Sequence, residues 1–178
     1  MTEDDFWSLV ESARTAVDDP VTSADDVAEE LVRRLTALPL EQIVGFQRVF
    51  DRLQDEAYRW DLWAAAYLVN GGCSDDGFMD FRGWLAAQGR AVWAAAVAAP
   101  DSLADVVPAG FDEAFSEEML YVAISAYEAA GGDEDAFAQA ASEDGDPVDE
   151  PAGPHVDVED PAAFAGVLPR LAARYLPA

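Results

Sequence analysis

The stretch Arg59-Trp60-Asp61-Leu62-Trp63-Ala64-Ala65-Ala66-Tyr67-Leu68-Val69-Asn70-Gly71-Gly72-Cys73-Ser74-Asp75-Asp76-Gly77-Phe78-Met79-Asp80-Phe81-Arg82-Gly83-Trp84-Leu85 decides the fold class. Trp60 to Val69 is apolar nearly all round, the pattern of a buried helix. Asn70-Gly71-Gly72 ends it, because glycine supplies the left-handed conformation of a helix C-terminus. Ser74 then offers an N-cap, and Asp75 and Asp76 place acids in the first turn of the next helix. Phe78, Phe81 and Leu85 follow at helical spacing, and that helix stops near Gly89.

The same signals recur outward in both directions. Thr2 and Asp5 have the spacing of a capping box, and Phe6, Val10, Ala13 and Val17 form one helical stripe that Pro20 ends. Ser23 and Asp26 open a second helix with Val27, Leu31, Leu35 and Leu38 inward. Pro39 fits the first turn of a third, carrying Ile43, Phe46, Phe50, Leu53 and Ala57. Arg90 to Ala98 reads as a helix, Asp101 or Ser102 caps a short one, and Ser116 caps another that Gly131-Gly132 terminates. Asp160-Pro161 opens a last helix with Phe164, Leu168, Leu171 and Tyr175, which Pro169 must kink or split. No run has a period of two, and Asp76-Gly77 and Asp144-Gly145 lack the β-branched flanks of a hairpin. The expected fold is all-α: an irregular multi-helix bundle with an acidic loop and a C-terminal docking helix. The expected division is a helical domain at 1–141, an acidic Pro/Gly-rich loop at 142–160, and a C-terminal helix at 161–178 packing on the bundle.

Charge narrows the function. There are 36 acids against 10 bases, a net charge of −26, and every base is arginine. Such a field repels nucleic-acid phosphates and anionic lipid, so neither direct nucleic-acid binding nor a membrane is expected. A basic protein or peptide is the natural partner, although the same balance also follows from a GC-rich genome or a salty habitat. No apolar run is long enough to span a bilayer, and the acidic Met1-Thr2-Glu3-Asp4-Asp5 start is unlike a signal peptide, so a cytoplasmic protein is expected. The single cysteine, Cys73, allows no intramolecular disulfide.

The quoted stretch and its extension to Arg90 hold three of the five Trp, four Asp and three Arg. Charges among apolar residues need partners or water, so Arg59, Asp61, Asp80, Arg82 and Arg90 are expected to form a network, with Asn70 beside them as a further ligand-binding candidate. Two chemistries are open. Asp75, Asp76 and Asp80 form a carboxylate pattern that could hold Mg²⁺ or Ca²⁺, with Asp76 and Asp80 one turn apart. The simpler reading is helix capping, with Asp80 paired to an arginine. Arg59, Arg82 and Arg90 could hold a phosphate or carboxylate; the simpler reading pairs them with Asp61 and Asp80. Cys73 precedes a helix N-terminus, where a thiol can be activated, but the only histidine, His155, lies in the acidic loop and the expected role is a buried thiol. No phosphate-binding glycine loop and no nucleophile elbow occur.

The strings Trp60-Asp61-Leu62-Trp63-Ala64-Ala65-Ala66-Tyr67 and Gly71-Gly72-Cys73-Ser74-Asp75-Asp76-Gly77-Phe78, with Phe6-Trp7 and the Leu38-Pro39-Leu40-Glu41 to Phe50 helix, resemble the bacterial domain-of-unknown-function family 4240. The resemblance covers roughly residues 1–130, a domain-sized span, and leaves the acidic loop and last helix outside. It implies no established activity and no catalytic residue. The function expected is a binding or regulatory interaction module without a cofactor. The alternatives are a small metal-dependent hydrolase or transferase built on Asp75, Asp76 and Asp80, and an acidic mimic of DNA.

Overall fold

A computed structural model describes residues 1–142, 148, 150–158 and 160–177. Among them are ten α-helices, one 3₁₀ helix and no strand. Residues 143–147, 149 and 159 of the expected acidic loop lie outside the described residues, as does the Asp144-Gly145 pair. Among the described residues no helix is long and apolar enough to cross a membrane.

The first three helices follow the apolar periodicity. α1 (Glu3–Arg14) opens with the full capping box: the Asp5 N–H donates to the Thr2 hydroxyl, and the Thr2 N–H donates to the Asp5 carboxylate at 3.0 Å. α2 spans Ala24–Leu35 and α3 spans Leu40–Glu56. Pro39 sits just before α3 as its cap, because its extended ψ of 143° keeps it out of the helix. Phe6 of α1 packs on Phe46 and Phe50 of α3, with ring centroids 4.5 and 6.3 Å apart, and all three side chains are buried. An aromatic pair adds roughly 0.5–1.5 kcal/mol beyond its area, so this cluster ties α1 to α3.

α4 (Trp60–Asn70) and α5 (Asp75–Ala87) are the two helices of the quoted stretch. Gly71 closes α4 in the left-handed conformation, at φ 67°, and the Ser74 hydroxyl accepts the Gly77 N–H at the start of α5. α5 is the most enclosed helix: Phe78 and every residue from Phe81 to Ala87 are buried. Trp84 donates its indole N–H to the Val21 carbonyl at 2.8 Å, which fastens the α1–α2 connection to α5. α6 (Arg90–Ala98), the 3₁₀ helix Pro100–Asp105, α7 (Glu118–Ala129) and α8 (Glu134–Ala141) follow. α7 packs on α2, α5 and α3. At its entry, Gly83 of α5 lets the chain approach so closely that a Cβ there would stand 2.5 Å from the Ser116 carbonyl oxygen.

Several expectations are corrected. Ser116 does not cap α7; it is buried, and its hydroxyl donates to Asp25 of α2 at 2.7 Å. Neither Asp101 nor Ser102 caps the 3₁₀ helix, which starts at Pro100. α8 was not anticipated; its cap is Asp133, which accepts the Ala136 N–H. The last helix, by contrast, is split as expected, into α9 (Pro161–Val167) and α10 (Pro169–Tyr175), because Pro169 has no N–H to continue the ladder. Part of the acid-rich segment packs on the protein: Ala152 bridges to the Tyr58–Trp60 backbone, Val156 is buried, and the His155 ring stands edge-on to Trp60 at 4.4 Å.

Candidate functional site

The sequence candidates fall into separate local arrangements. Arg59 and Asp61 make the expected bidentate pair, Nε to Oδ1 and Nη2 to Oδ2, both at 3.0 Å. That hydrogen bond raises the Arg59 pKa. Asn70 holds backbone: its carboxamide donates to the Ala114 carbonyl and accepts the Ala114 N–H. Arg90 is not part of a network with Asp61 or Asp80. The turn at Gly89 carries it to α1, where Nη1 bonds Asp4 at 2.6 Å, Nη2 lies 3.6 Å from Glu3, and its backbone N–H donates to Glu11.

Arg82 is also not paired with Asp80. Residues two apart project from different sides of a helix, so the two side chains diverge. The Arg82 guanidinium is buried, donates to the Gln54 and Phe78 carbonyls at 2.7 and 3.3 Å, and lies 4.9 Å from the centres of both the Tyr58 and Phe78 rings. No carboxylate lies in ion-pair range of it among the described residues; burial lowers its pKa. Two rings and two carbonyls take the place of a counter-ion. Trp60, Trp63 and Phe78 extend this box as a stack, with spacings of 5.6 and 4.9 Å. Cys73 sits beside it, and burial pushes its thiol up to about 12. That is the environment of an inert thiol.

Asp75, Asp76 and Asp80 do not form a three-carboxylate cluster. Asp75 is rotated one residue off the face that Asp76 and Asp80 share, and both Asp75 and Asp76 are exposed. Among the described residues no group of three Asp, Glu, His or Cys is placed to hold a metal ion. Asp80 is half-buried, and its pKa is raised first by burial and then by the carboxylates of Glu117, Asp76 and Glu118. Its nearest chemistry is therefore the start of α7, to which its carbonyl is tied by the Ser116 N–H at 3.0 Å.

That contact leads to a site the sequence did not point to. Between α2 and α7 runs a groove of about 360 Å³ lined by Ala28, Glu29, Val32, Glu117, Glu118, Tyr121 and Ser125. Ala28, Val32 and the Tyr121 ring supply apolar surface, and three glutamates stand around it. Tyr121 is 54% exposed, the most exposed large hydrophobic side chain among the described residues. Two further hollows adjoin along α2: one shares Glu29 and adds Asp18, Asp19 and Asp26, and the other shares Asp26 and adds Asp25, Glu113 and Phe115. The signal in the sequence was Ser116-Glu117-Glu118 ahead of an apolar helix with one tyrosine off its buried stripe. Nothing in that pattern says that α2 lies opposite.

A sequence model of the family described as Protein of unknown function (DUF4240) matches residues 1–129. The chain belongs to this family. The DUF4240 span ends at the last residue of α7, so it contains both walls of the α2–α7 groove and leaves out α8, α9 and α10. No curated protein and no solved structure matches the chain.

Proposed function

We propose that this DUF4240 protein is a binding module whose α2–α7 groove takes a basic segment of another protein. The observation that carries the reading is the pairing, in one groove, of an exposed aromatic ring with three glutamates and an apolar floor. A lysine or arginine side chain has the complementary form, with an apolar stem and a cationic head. The stem would lie along Val32 and Tyr121, and the head would reach Glu29, Glu117 or Glu118. Tyr121 adds attraction for a cation over its face, on the order of 0.5–1 kcal/mol at an exposed site. The net charge of −26 would speed encounter with a basic partner, and added salt would slow it.

The test is titration of a fluorescein-labelled peptide alternating Arg with Leu into wild type, into Tyr121→Ala with Glu117→Gln and Glu118→Gln, and into Asp18→Asn with Asp19→Asn. Binding weakened at least tenfold by the groove variant and little by the second variant supports the reading. Equal weakening by both would reduce it to unspecific charge attraction, and the reading would fall.

A further inference from the structure

The C-terminal segment packs on the rest of the chain through both apolar and polar contacts. α10 lies against α4 and the 3₁₀ helix, with Leu168 and Leu171 fully buried and Phe164 of α9 stacked near Tyr67 of α4 at 6.1 Å. Around these apolar anchors the polar contacts are ordered by spacing. Asp101 accepts the backbone N–H groups of Arg170 and Leu171, both at 3.0 Å. Asp105, one turn further along, receives the Arg170 guanidinium in a two-pronged ion pair, and Arg174 donates to the Ala104 carbonyl. The Tyr175 hydroxyl donates to the Phe111 carbonyl at 2.9 Å. Arg170 and Arg174 are the first arginines after Arg90, so a helix that carries two cations meets an acidic receptor.

The segment's ion pairing is modest, and the apolar anchors hold it. Its ion pair is solvent-exposed on both sides, with side-chain exposures of 51% and 68%, and such pairs contribute roughly 0–1 kcal/mol. α9 and α10 have seven residues each, too short to hold helical form without packing. Short docked elements with few buried anchors open at lower free energy than the core. The segment also lies beyond the DUF4240 span, whereas the α4 and 3₁₀ surface lies within it.

We infer that the surface formed by α4 and the 3₁₀ helix is a docking site for a basic amphipathic helix, which the chain's own α9–α10 segment fills, and that a partner helix carrying Arg at i, Leu at i+1 and Arg at i+4 displaces it. This surface shares no lining residue with the α2–α7 groove, so either one can be lost without the other. A competing helix must outmatch a tethered ligand, whose effective concentration is in the millimolar range for a flexible link. Weakening the resident segment therefore unmasks the site.

The experiment uses the full chain and two labelled probes. One is a peptide of residues 161–177; the other is an unrelated helical peptide given the Arg-Leu-Ala-Ala-Arg-Tyr spacing. Each is titrated into wild type, Leu171→Asp, and Leu171→Asp combined with Asp101→Asn and Asp105→Asn. The expected result is binding to Leu171→Asp at least tenfold tighter than to wild type, and a loss of at least tenfold when both aspartates are changed. Should Leu171→Asp lose the folded circular-dichroism spectrum, Leu168→Ala with Leu171→Ala, which weakens the apolar anchoring without burying a charge, is titrated in its place. A released and folded protein that takes up neither probe, or takes them up regardless of Asp101 and Asp105, overturns the inference.

Discussion

Asn70 pairs with the backbone of Ala114, 44 residues away, as another peptide group would: its Nδ2 donates to the carbonyl at 3.3 Å and its Oδ1 accepts the N–H at 2.9 Å. This clamp fixes the extended chain that leads into α7, and so one wall of the α2–α7 groove. Asn70→Asp keeps the acceptor but replaces the donor with a charge facing a carbonyl. The expected cost is about 1–3 kcal/mol, the range for leaving a buried partner unsatisfied. Chemical denaturation of the two proteins measures it, and a midpoint unchanged from wild type would deny Asn70 this role.

Arg82 is held by ring faces and carbonyls, and lysine cannot reproduce that planar fit. Arg82→Lys is therefore expected to lose about 1–3 kcal/mol, since one ammonium nitrogen cannot replace the two guanidinium nitrogens that serve the Gln54 and Phe78 carbonyls. Arg82→Met, which fills much of the volume without a charge, is expected to be no worse than lysine, because a buried cation is costly when its partners are removed. Urea unfolding of the three proteins ranks them, and a lysine variant as stable as wild type would show that the cation–ring geometry is immaterial.

Two glycines separate crowding from backbone strain. Gly83→Ala would drive a methyl group to 2.5 Å from the Ser116 carbonyl and must displace backbone. The expected cost is about 1–3 kcal/mol, with faster amide exchange at residues 114–118. Gly71→Ala meets no neighbour within 4 Å and carries only the left-handed φ of 67°, so about 1 kcal/mol is expected, with exchange at 114–118 unchanged. Hydrogen exchange distinguishes the two.

Cys73 gives a prediction in pH. Its thiol ionises at about 12 in the folded protein against 9.0 for the free group, chiefly because burial disfavours the thiolate. A raised pKa of this kind leaves stability intact below 9.0 and removes it as pH climbs toward 12, since the unfolded chain deprotonates first. At pH 8, iodoacetamide should modify the native protein on the order of 1000-fold more slowly than the unfolded protein, in line with the suppressed thiolate. Equal rates would show that the thiol is open.

Divalent cations test the carboxylates. Because Asp75, Asp76 and Asp80 do not converge, Mg²⁺ or Ca²⁺ is expected to raise the melting temperature no further than NaCl of equal ionic strength. Both should raise it somewhat, by screening a net charge of −26. A rise specific to the divalent ion, and lost in Asp76→Asn and Asp80→Asn, would reinstate a metal site by mass action.

The sequence by itself determined the local structure: the capping box of Thr2 and Asp5, the stop at Gly71, the start at Ser74, the break at Pro169 and the buried stripe of α3. These depend on interactions within a few residues, which spacing reveals directly. It also placed Arg59 and Asp61 among five charges that need partners, and these two pair across two positions. Tertiary structure alone decided which distant groups meet. Asp101 was read as a cap for its own short helix and serves α10 instead, 69 residues away. Arg82 was read as an ion-pair member and is satisfied by rings and carbonyls, because helix geometry turns it away from Asp80. Asp80 was read with Asp75 and Asp76; it keeps Asp76 as a neighbouring charge and gains Glu117 and Glu118 because α7 crosses α5 at Gly83. The proposed groove exists only because α2 and α7 lie side by side, and no spacing along the chain encodes which two helices share a wall.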